Sequence, residues 1–280
     1  ITSMNTTFVD NAVSNTITVG ASNGIIVGNN VTTDNEYAIV LQGNAHNNVV
    51  TDNYLIASVL KGDAAVSISP IVDDNVVENN MPRVEITVVA DSVWIGSNGL
   101  VTVNVVNGTG SVTIKVNGKE FTAELDENGT ATKEIPAEDL VVGENEVTAT
   151  YESAEYAPAT NATVLVVIDG VVTQETYMYY FNQADEGRLF DCVPEGATLD
   201  FQGSIINPDS SIIRHMNVNK PVNIVSTTKD AYVDLNTVAG SLMGESPGNS
   251  FAITNGGSGT NVTGIKFHNT QLWLTNTHNV

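Results

Sequence analysis

The chain has 280 residues, 32 of them acidic against 10 Lys and Arg, which gives a formal net charge of −22 at pH 7. The acidic excess runs along the whole length, so nucleic acid and anionic lipid are poor partners for this surface. Apolar residues make up 41% and are interleaved with Thr, Asn and Ser, which describes a folded β protein and not a disordered one. No apolar run approaches the roughly 20 residues of a membrane helix, and neither terminus resembles a signal peptide or an anchor. Cys192 stands alone, so no internal disulfide forms and stability must come from stacking and burial.

The first third of the chain carries one phrase three times. Residues 24–31 (GIIVGNNV) recur as 48–55 (NVVTDNYL) and again as 75–81 (NVVENNM), at offsets of 24 and then 27 residues. A short β-branched run followed by an Asn-containing turn, at a period in the twenties, predicts the C-terminal coils of a parallel β-helix over residues 1–82. Asn29, Asn53 and Asn80 are expected to stack as a ladder, each in the left-handed backbone of a tight corner, with amide bonded to amide. A companion strand recurs at the same 27-residue offset, in 37–41 (YAIVL) and 64–68 (AAVSI). The alternative is an antiparallel sheet with Asn in its turns, which gives no reason for the corner residue to keep register.

The pattern changes at Met81-Pro82-Arg83. Alternation of period two then puts Val84, Ile86 and Val88 on one face, followed by Val101, Val103 and Val105, by Val112, Ile114 and Val116, and by Phe121, Ala123 and Leu125. Asn-Gly at 117–118 and 128–129 marks hairpins, and residues 83–168 are expected to form a β-sandwich. This stretch resembles the bacterial-type immunoglobulin-like repeats of surface proteins. The resemblance lies in its Val-Asn-Gly hairpin, the Gly129–Thr132 strand, the Leu140, Gly143, Asn145 step and the tyrosine strand that follows. Those repeats commonly carry Gly-Asp after the tyrosine, where this chain has Ser153 and Ala154.

Residues 169–197 form a linker and cap. Tyr177, Tyr179, Tyr180 and Phe181 lie in the densest aromatic cluster of the chain; capping the open end of a solenoid is the favoured role, a sugar-stacking platform the alternative. Leu189–Val193 reads as a half-buried strand, with Cys192 a structural thiol and not a nucleophile. Residues 198–280 return to coil phrases, as the first coils of a second parallel β-helix, with Ile224 and Ile253 expected at equivalent positions of adjacent coils. Together with 267–274 (FHNTQLWL), these phrases resemble the adhesin-like surface proteins of methanogenic archaea, in which right-handed β-helices alternate with immunoglobulin-like repeats. The resemblance implies an extracellular, cell-surface protein that attaches to other cells or surfaces and is not an enzyme.

The chain starts and stops in coil phrases, so it is expected to be a piece of a longer protein. Exposed coil ends make self-association a second reading, as a filament or stalk unit meeting its own kind end to end. Surface glycans or proteins of other cells are the other expected partners, and no cofactor is implied. The third reading, a β-helix polysaccharide lyase or glycosidase, would use Asp73-Asp74 with Asp52 and Asp34, yet Lys61 is the only Lys or Arg in residues 1–82. Arg214 with His215 is the other basic pair. His46, His215, His268 and His278 show no zinc spacing, and Asp126–Gly129 reads as a charged hairpin tip before a weak Ca²⁺ loop. No catalytic, cofactor or metal residue is assigned. Asn5, Asn30, Asn107, Asn128, Asn161 and Asn261 open Asn-x-Thr sequons and are candidate N-glycosylation sites of an exported chain.

Overall fold

A computed structural model describes residues 1–207, 215–236, 249–275, 277–278 and 280. The protein is all-β: its regular structure is short strands and a few 3₁₀ turns, with no α-helix among the described residues.

In the first segment each repeat gives one strand to each of three parallel sheets. The first sheet stacks Thr7–Val9, Ile25–Val27, Val49–Thr51 and Val76–Glu78, with Phe8, Ile26, Val50 and Val77 in one row. The second holds Ala12–Val13, Asn30–Thr32 and Tyr54–Ile56, and the third Ile17–Val19, Ile39–Leu41 and Val66–Ile68. Strands of three residues suffice because inward β-branched and aliphatic side chains pile on their equivalents one strand spacing away. Ile26, Val31, Ile39, Leu41, Val50 and Leu55 are fully buried in that stack. A further repeat lies ahead of the three phrases, and its offset of only 18 residues (Phe8 to Ile26) hid it from a search at a period in the twenties.

The corners of these repeats run on a two-residue device. The left-handed residue is not the ladder Asn but the one before it: Asp10, Gly28, Asp52 and Asn79 have φ of +52°, +68°, +54° and +58°. This corrects the expectation that the ladder Asn adopts the turn conformation. The left-handed residue reverses the chain, which frees the following Asn to point inward, where Asn29, Asn53 and Asn80 are almost wholly buried. One amide oxygen then satisfies two donors of the preceding repeat. Asn53 Oδ1 accepts from Asn29 N and Nδ2, each at 3.0 Å, and Asn80 Oδ1 accepts from Asn53 N at 3.0 Å and Nδ2 at 2.8 Å. Asn11 donates to Asn29 in the same way. The amide nitrogens also reach backbone carbonyls of the preceding repeat, Phe8 from Asn29, Ile26 from Asn53 and Val50 from Asn80.

A second ladder runs along the other end of the first sheet. Asn48 Oδ1 accepts from Gly24 N at 2.7 Å, and Asn75 Oδ1 accepts from both Asn48 N and Nδ2 at 2.9 Å. Again the residue before each position, Asn23, Asn47 or Asp74, is left-handed.

The first ladder ends on a carboxylate. Asp63 Oδ1 accepts from Asn80 N at 2.9 Å and Nδ2 at 2.7 Å, taking the place the next Asn would hold. Asp63 reaches it from a 3₁₀ turn at Gly62–Ala65 inserted into the preceding repeat. Gly62 permits the approach, since it has φ +59° and a Cβ there would meet the Asn80 carbonyl oxygen at 2.5 Å.

Between Pro82 and Ile168 the pairing is almost entirely antiparallel. Ile86–Ala90, Gly99–Val105 and Thr130–Ile135 make one sheet, which packs on a second formed by Val93–Trp94, Ala159–Ile168, Gly143–Tyr151, Ser111–Val116 and Lys119–Glu124. The inward positions are those of the period-two pattern, with Val101, Val103, Val105, Ile114 and Val116 fully buried. Asn145, also fully buried, pins the preceding loop through its own amide, accepting from Val141 N and donating to the Val141, Gly143 and Leu165 carbonyls.

Strand Ala159–Ile168 joins this unit to the next. Its Leu165 and Val167 belong to the core between the two antiparallel sheets, whereas Val166 and Ile168, on the opposite face, belong to the core that follows. Trp94 packs against that following core as well, and the Tyr179 hydroxyl bonds Glu144 across the junction.

The last segment again has three sheets of parallel strands, but with irregular repeat lengths. One holds Val171–Val172, Thr198–Phe201, Asn223–Val225 and Asn261–Thr263; another Ser204–Ile206, Tyr232–Asp234 and Lys266–His268. The third runs Arg188–Leu189, His215–Val218, Ser250–Ile253 and Gln271–Leu274, with Phe181–Asn182 antiparallel on its edge. Two expectations are corrected here. Ile224 pairs with Leu199 and Val262 while Ile253 pairs with Val218, so they lie in different sheets and their 29-residue spacing is no coil length. Of 189–193, only Leu189 is in a strand; Asp191–Val193 turn, because strand and turn share the same apolar alternation over so short a run.

The ladder makes a direct prediction. Asp63→Ala, which strips both donors of Asn80 of their acceptor, and Asn53→Ala are each expected to cost about 1–3 kcal/mol in chemical denaturation. Asp63→Asn, which keeps a side-chain oxygen in place, is expected to cost less than half as much; equal losses for Asp63→Ala and Asp63→Asn would show that charge and not acceptor geometry ends the ladder.

Candidate functional site

The acidic residues of the first segment do not converge. Asp52 and Asp74 take left-handed corner positions at opposite ends of the first sheet; Asp52 is level with Asn79, five residues on from Asp74, so about 16 Å of strand length separates them. Asp73 contacts the His46 ring one repeat away, and its N–H lies 3.2 Å from His46 Nδ1. Asp34 is exposed elsewhere. Among the described residues no three His, Cys, Asp or Glu gather as a metal-ligand group. Asp126 accepts from the backbone N–H groups of Asn128 and Thr130, which closes the hairpin tip, and the Thr130 bond holds its carboxyl below the usual carboxylate range. Arg214 lies outside the described residues.

The aromatic cluster faces inward. Tyr177, Tyr180 and Phe181 are buried in the core of the last segment, so they offer no platform for a sugar. The Tyr180 hydroxyl donates to the Val171 carbonyl at 3.1 Å and accepts from Gly170 N at 3.0 Å, and burial drives its pKa upward. Tyr179 is the half-buried exception, its hydroxyl held by Glu144. Cys192 packs against the same core, and burial pushes its thiol up, away from thiolate chemistry. The sequon residues Asn5, Asn30, Asn107, Asn128, Asn161 and Asn261 are all exposed, in contrast to the buried ladder.

A concavity lies on the outward face of the Arg188–Leu274 sheet. Register places Arg188, Asn217, Ala252 and Trp273 in one row across four strands, and His215, Ser250 and Gln271 in the row beside it. Alternation sends Met216, Val218, Phe251 and Ile253 inward and leaves these rows facing out. Glu186, His215, Asn217, Ser250, Ala252, Thr254, Trp273 and Thr275 line a groove of about 330 Å³. Thr254 Oγ1 donates to Asn217 Oδ1 at 2.9 Å, and His215 Nδ1 lies 2.9 Å from Ser250 Oγ. Trp273 remains 36% exposed at one wall, and Glu186 stands at the other in a left-handed turn. Sequence reasoning saw Trp273 only as part of a phrase, because its row partners lie at unequal spacings that no period search finds.

Neighbouring repeats in this segment are tied by carboxylates where the first segment uses amides. Asp200 is bonded by Thr227 N at 2.8 Å and Thr227 Oγ1 at 2.6 Å, Asp230 accepts from Gly203 N, and Asp234 is held by the His268 ring at 3.0 Å and the Asn269 amide at 3.1 Å. Burial opposes the charge of Asp200 and Asp234, but these bonds outweigh it and hold both carboxyls below their ordinary range; the Thr228 hydroxyl and the Gly203 N–H do the same for Asp230.

No family model matches this chain, nor does any curated protein or solved structure.

Lowered folded-state values mean that these three carboxylates contribute stability above the unfolded Asp value of about 3.9, and that it is lost as pH falls through the folded values. The Asn side chains of the first segment's ladder carry no titratable group. Pulse-labelling hydrogen exchange is expected to show residues 198–275 losing protection before residues 7–80 as pH is lowered below about 4; simultaneous loss, or the reverse order, would contradict this assignment.

Proposed function

We propose that this protein is a non-enzymatic, adhesin-like protein of the cell surface that attaches to other cells or surfaces. In this reading residues 1–82 are the C-terminal coils of a parallel β-helix, 83–168 an immunoglobulin-like sandwich, 169–197 a linker and cap, and 198–280 the first coils of a second parallel β-helix. The domain reading is supported by the in-register parallel rows at either end and by the antiparallel sheets between them. In the loop where immunoglobulin-like repeats of this type commonly carry an acid, Ser153 Oγ accepts from the N–H groups of Glu155 and Tyr156, so a hydroxyl does the turn-closing work.

The single observation that carries the attachment reading is the outward groove, with an indole, an amide and hydroxyls presented on a sheet whose strands are fixed by pairing. Such a face binds without needing the paired acids and bases of hydrolysis or elimination. Labelled protein is expected to bind whole cells saturably and to leave uronic-acid polymers intact with or without Ca²⁺. Depolymerisation of those polymers, or no binding to any cell surface tried, would overturn the reading.

End-to-end association of copies is the second reading, favoured by one feature. Leu272 and Leu274 continue the inward rows of Phe251 and Ile253 yet are 60% and 66% exposed. Sedimentation of the protein is expected to show concentration-dependent association that Leu272→Lys with Leu274→Lys abolishes; a monodisperse monomer at all concentrations removes this reading.

A further inference from the structure

We propose that the groove between Glu186 and Trp273 binds a neutral glycan, with one pyranose ring stacked on the Trp273 indole. The biological meaning of this site rests on the attachment reading above, but its chemistry stands on the groove alone.

Three features select the ligand. The first is the floor and its aromatic wall. Trp273 is in register with Ala252, whose methyl group keeps the surface beside the indole low, so a flat ring can lie against the indole's face. The electron-rich face of an indole attracts the weakly positive C–H face of a sugar ring, and the stacking needs no charge. The second is the ring of hydrogen-bonding groups. Asn217, Thr254 and Thr275 supply amide and hydroxyl groups along the groove; Thr254 and Thr275 follow paired residues of adjacent strands, about 4.8 Å apart, while the Ser250 hydroxyl is already engaged by the His215 ring. A volume of about 330 Å³ lies at the lower end of small-ligand clefts, which run from roughly 300 to 1,000 Å³.

The third feature is charge, and it disfavours acidic sugars. Among the described residues the guanidinium in register with this row is Arg188, which lies 3.5 Å from Asp185 and 3.7 Å from Glu186, so its charge toward a uronate or sialate carboxylate is partly offset. Glu186 is itself an anion at the mouth of the groove, and its carboxylate accepts hydrogen bonds from sugar hydroxyls while repelling an acidic ring. The net charge of −22 adds to that repulsion. The inward-facing Tyr177, Tyr180 and Phe181 cannot compete as a stacking surface.

The test is calorimetric titration of the protein with neutral gluco-, manno- and galacto-oligosaccharides and, in parallel, with oligogalacturonate. At least one neutral series is expected to bind, and Trp273→Ala to weaken it on the order of tenfold or more, as loss of a Trp anchor does. Trp273→Phe, which keeps an aromatic face, is expected to lose far less, and Glu186→Gln to weaken neutral binding while narrowing the discrimination against oligogalacturonate. The native chain's tryptophan fluorescence is expected to change on saturation, and that change to vanish in Trp273→Phe. Binding unaffected by Trp273→Ala, preference for oligogalacturonate, or no neutral binding at millimolar sugar would each overturn the proposal. Whole-cell attachment of the same variants separates the two readings. Attachment that survives in Trp273→Ala removes the groove as the contact and leaves the adhesin reading standing, whereas neutral-sugar binding without attachment to any cell removes the adhesin reading alone.

Discussion

The first segment depends on one oxygen atom per repeat. A buried Asn Oδ1 that accepts from both the backbone and the side-chain nitrogen of the Asn before it ties each repeat to its neighbour at the corner, where it takes the backbone N–H that a sheet carbonyl would otherwise accept. Burying an amide is costly unless its groups are satisfied, and the ladder satisfies them only when every repeat holds the same register. The constraint therefore reaches into the strands: a slip of one residue would turn Ile26, Val50 and Leu55 outward and break the ladder together. Asp63 supplies the boundary condition, because a carboxylate offers acceptors but no N–H to pass on.

The last segment solves the same stacking problem with different groups, and the consequence is functional as well as energetic. Among its described residues there is no continuous corner ladder, and its repeats vary in length, so their loops and corners carry Glu186, Thr227 and Asp230 in place of a fixed phrase. That variability lets one outer sheet face collect Glu186, Asn217, Thr254 and Trp273 into a groove. Regular repetition gives stability, and departure from it gives a site. The two parts are linked by the strand Ala159–Ile168, whose alternate side chains serve two cores. At the other junction the contacts are fewer and more polar: Arg83 over the Tyr54 ring at 3.6 Å, Lys61 to the Tyr156 hydroxyl at 3.2 Å and Ala157 N to the Pro82 carbonyl at 3.1 Å.

The all-β class, the rows of the first segment and the inward faces of the antiparallel sheets were legible in the sequence because each rests on a local period. Ile25-Ile26, Val49-Val50 and Val76-Val77 sit in register as their spacing suggests. Where period failed, so did legibility. The short first repeat, the second ladder through Gly24, Asn48 and Asn75, and the pairing of Ile224 with Val262 all escaped it. In the doublets Asp52-Asn53 and Asn79-Asn80 the sequence marks a corner, but which member reverses the chain is settled only by which side chain finds a buried acceptor.

The sequence by itself determined that this chain stacks repeats, turns on Asn-rich corners and carries a strong acidic excess, since those properties follow from residue type and spacing. Only the tertiary structure decided where the ladder stops, which face the aromatic cluster turns to the core, and which residues from three distant strands and one turn share one outer groove. The physical reason is that parallel strands pair through long connections, and the length of each connection, not any local preference, sets which side chains become neighbours.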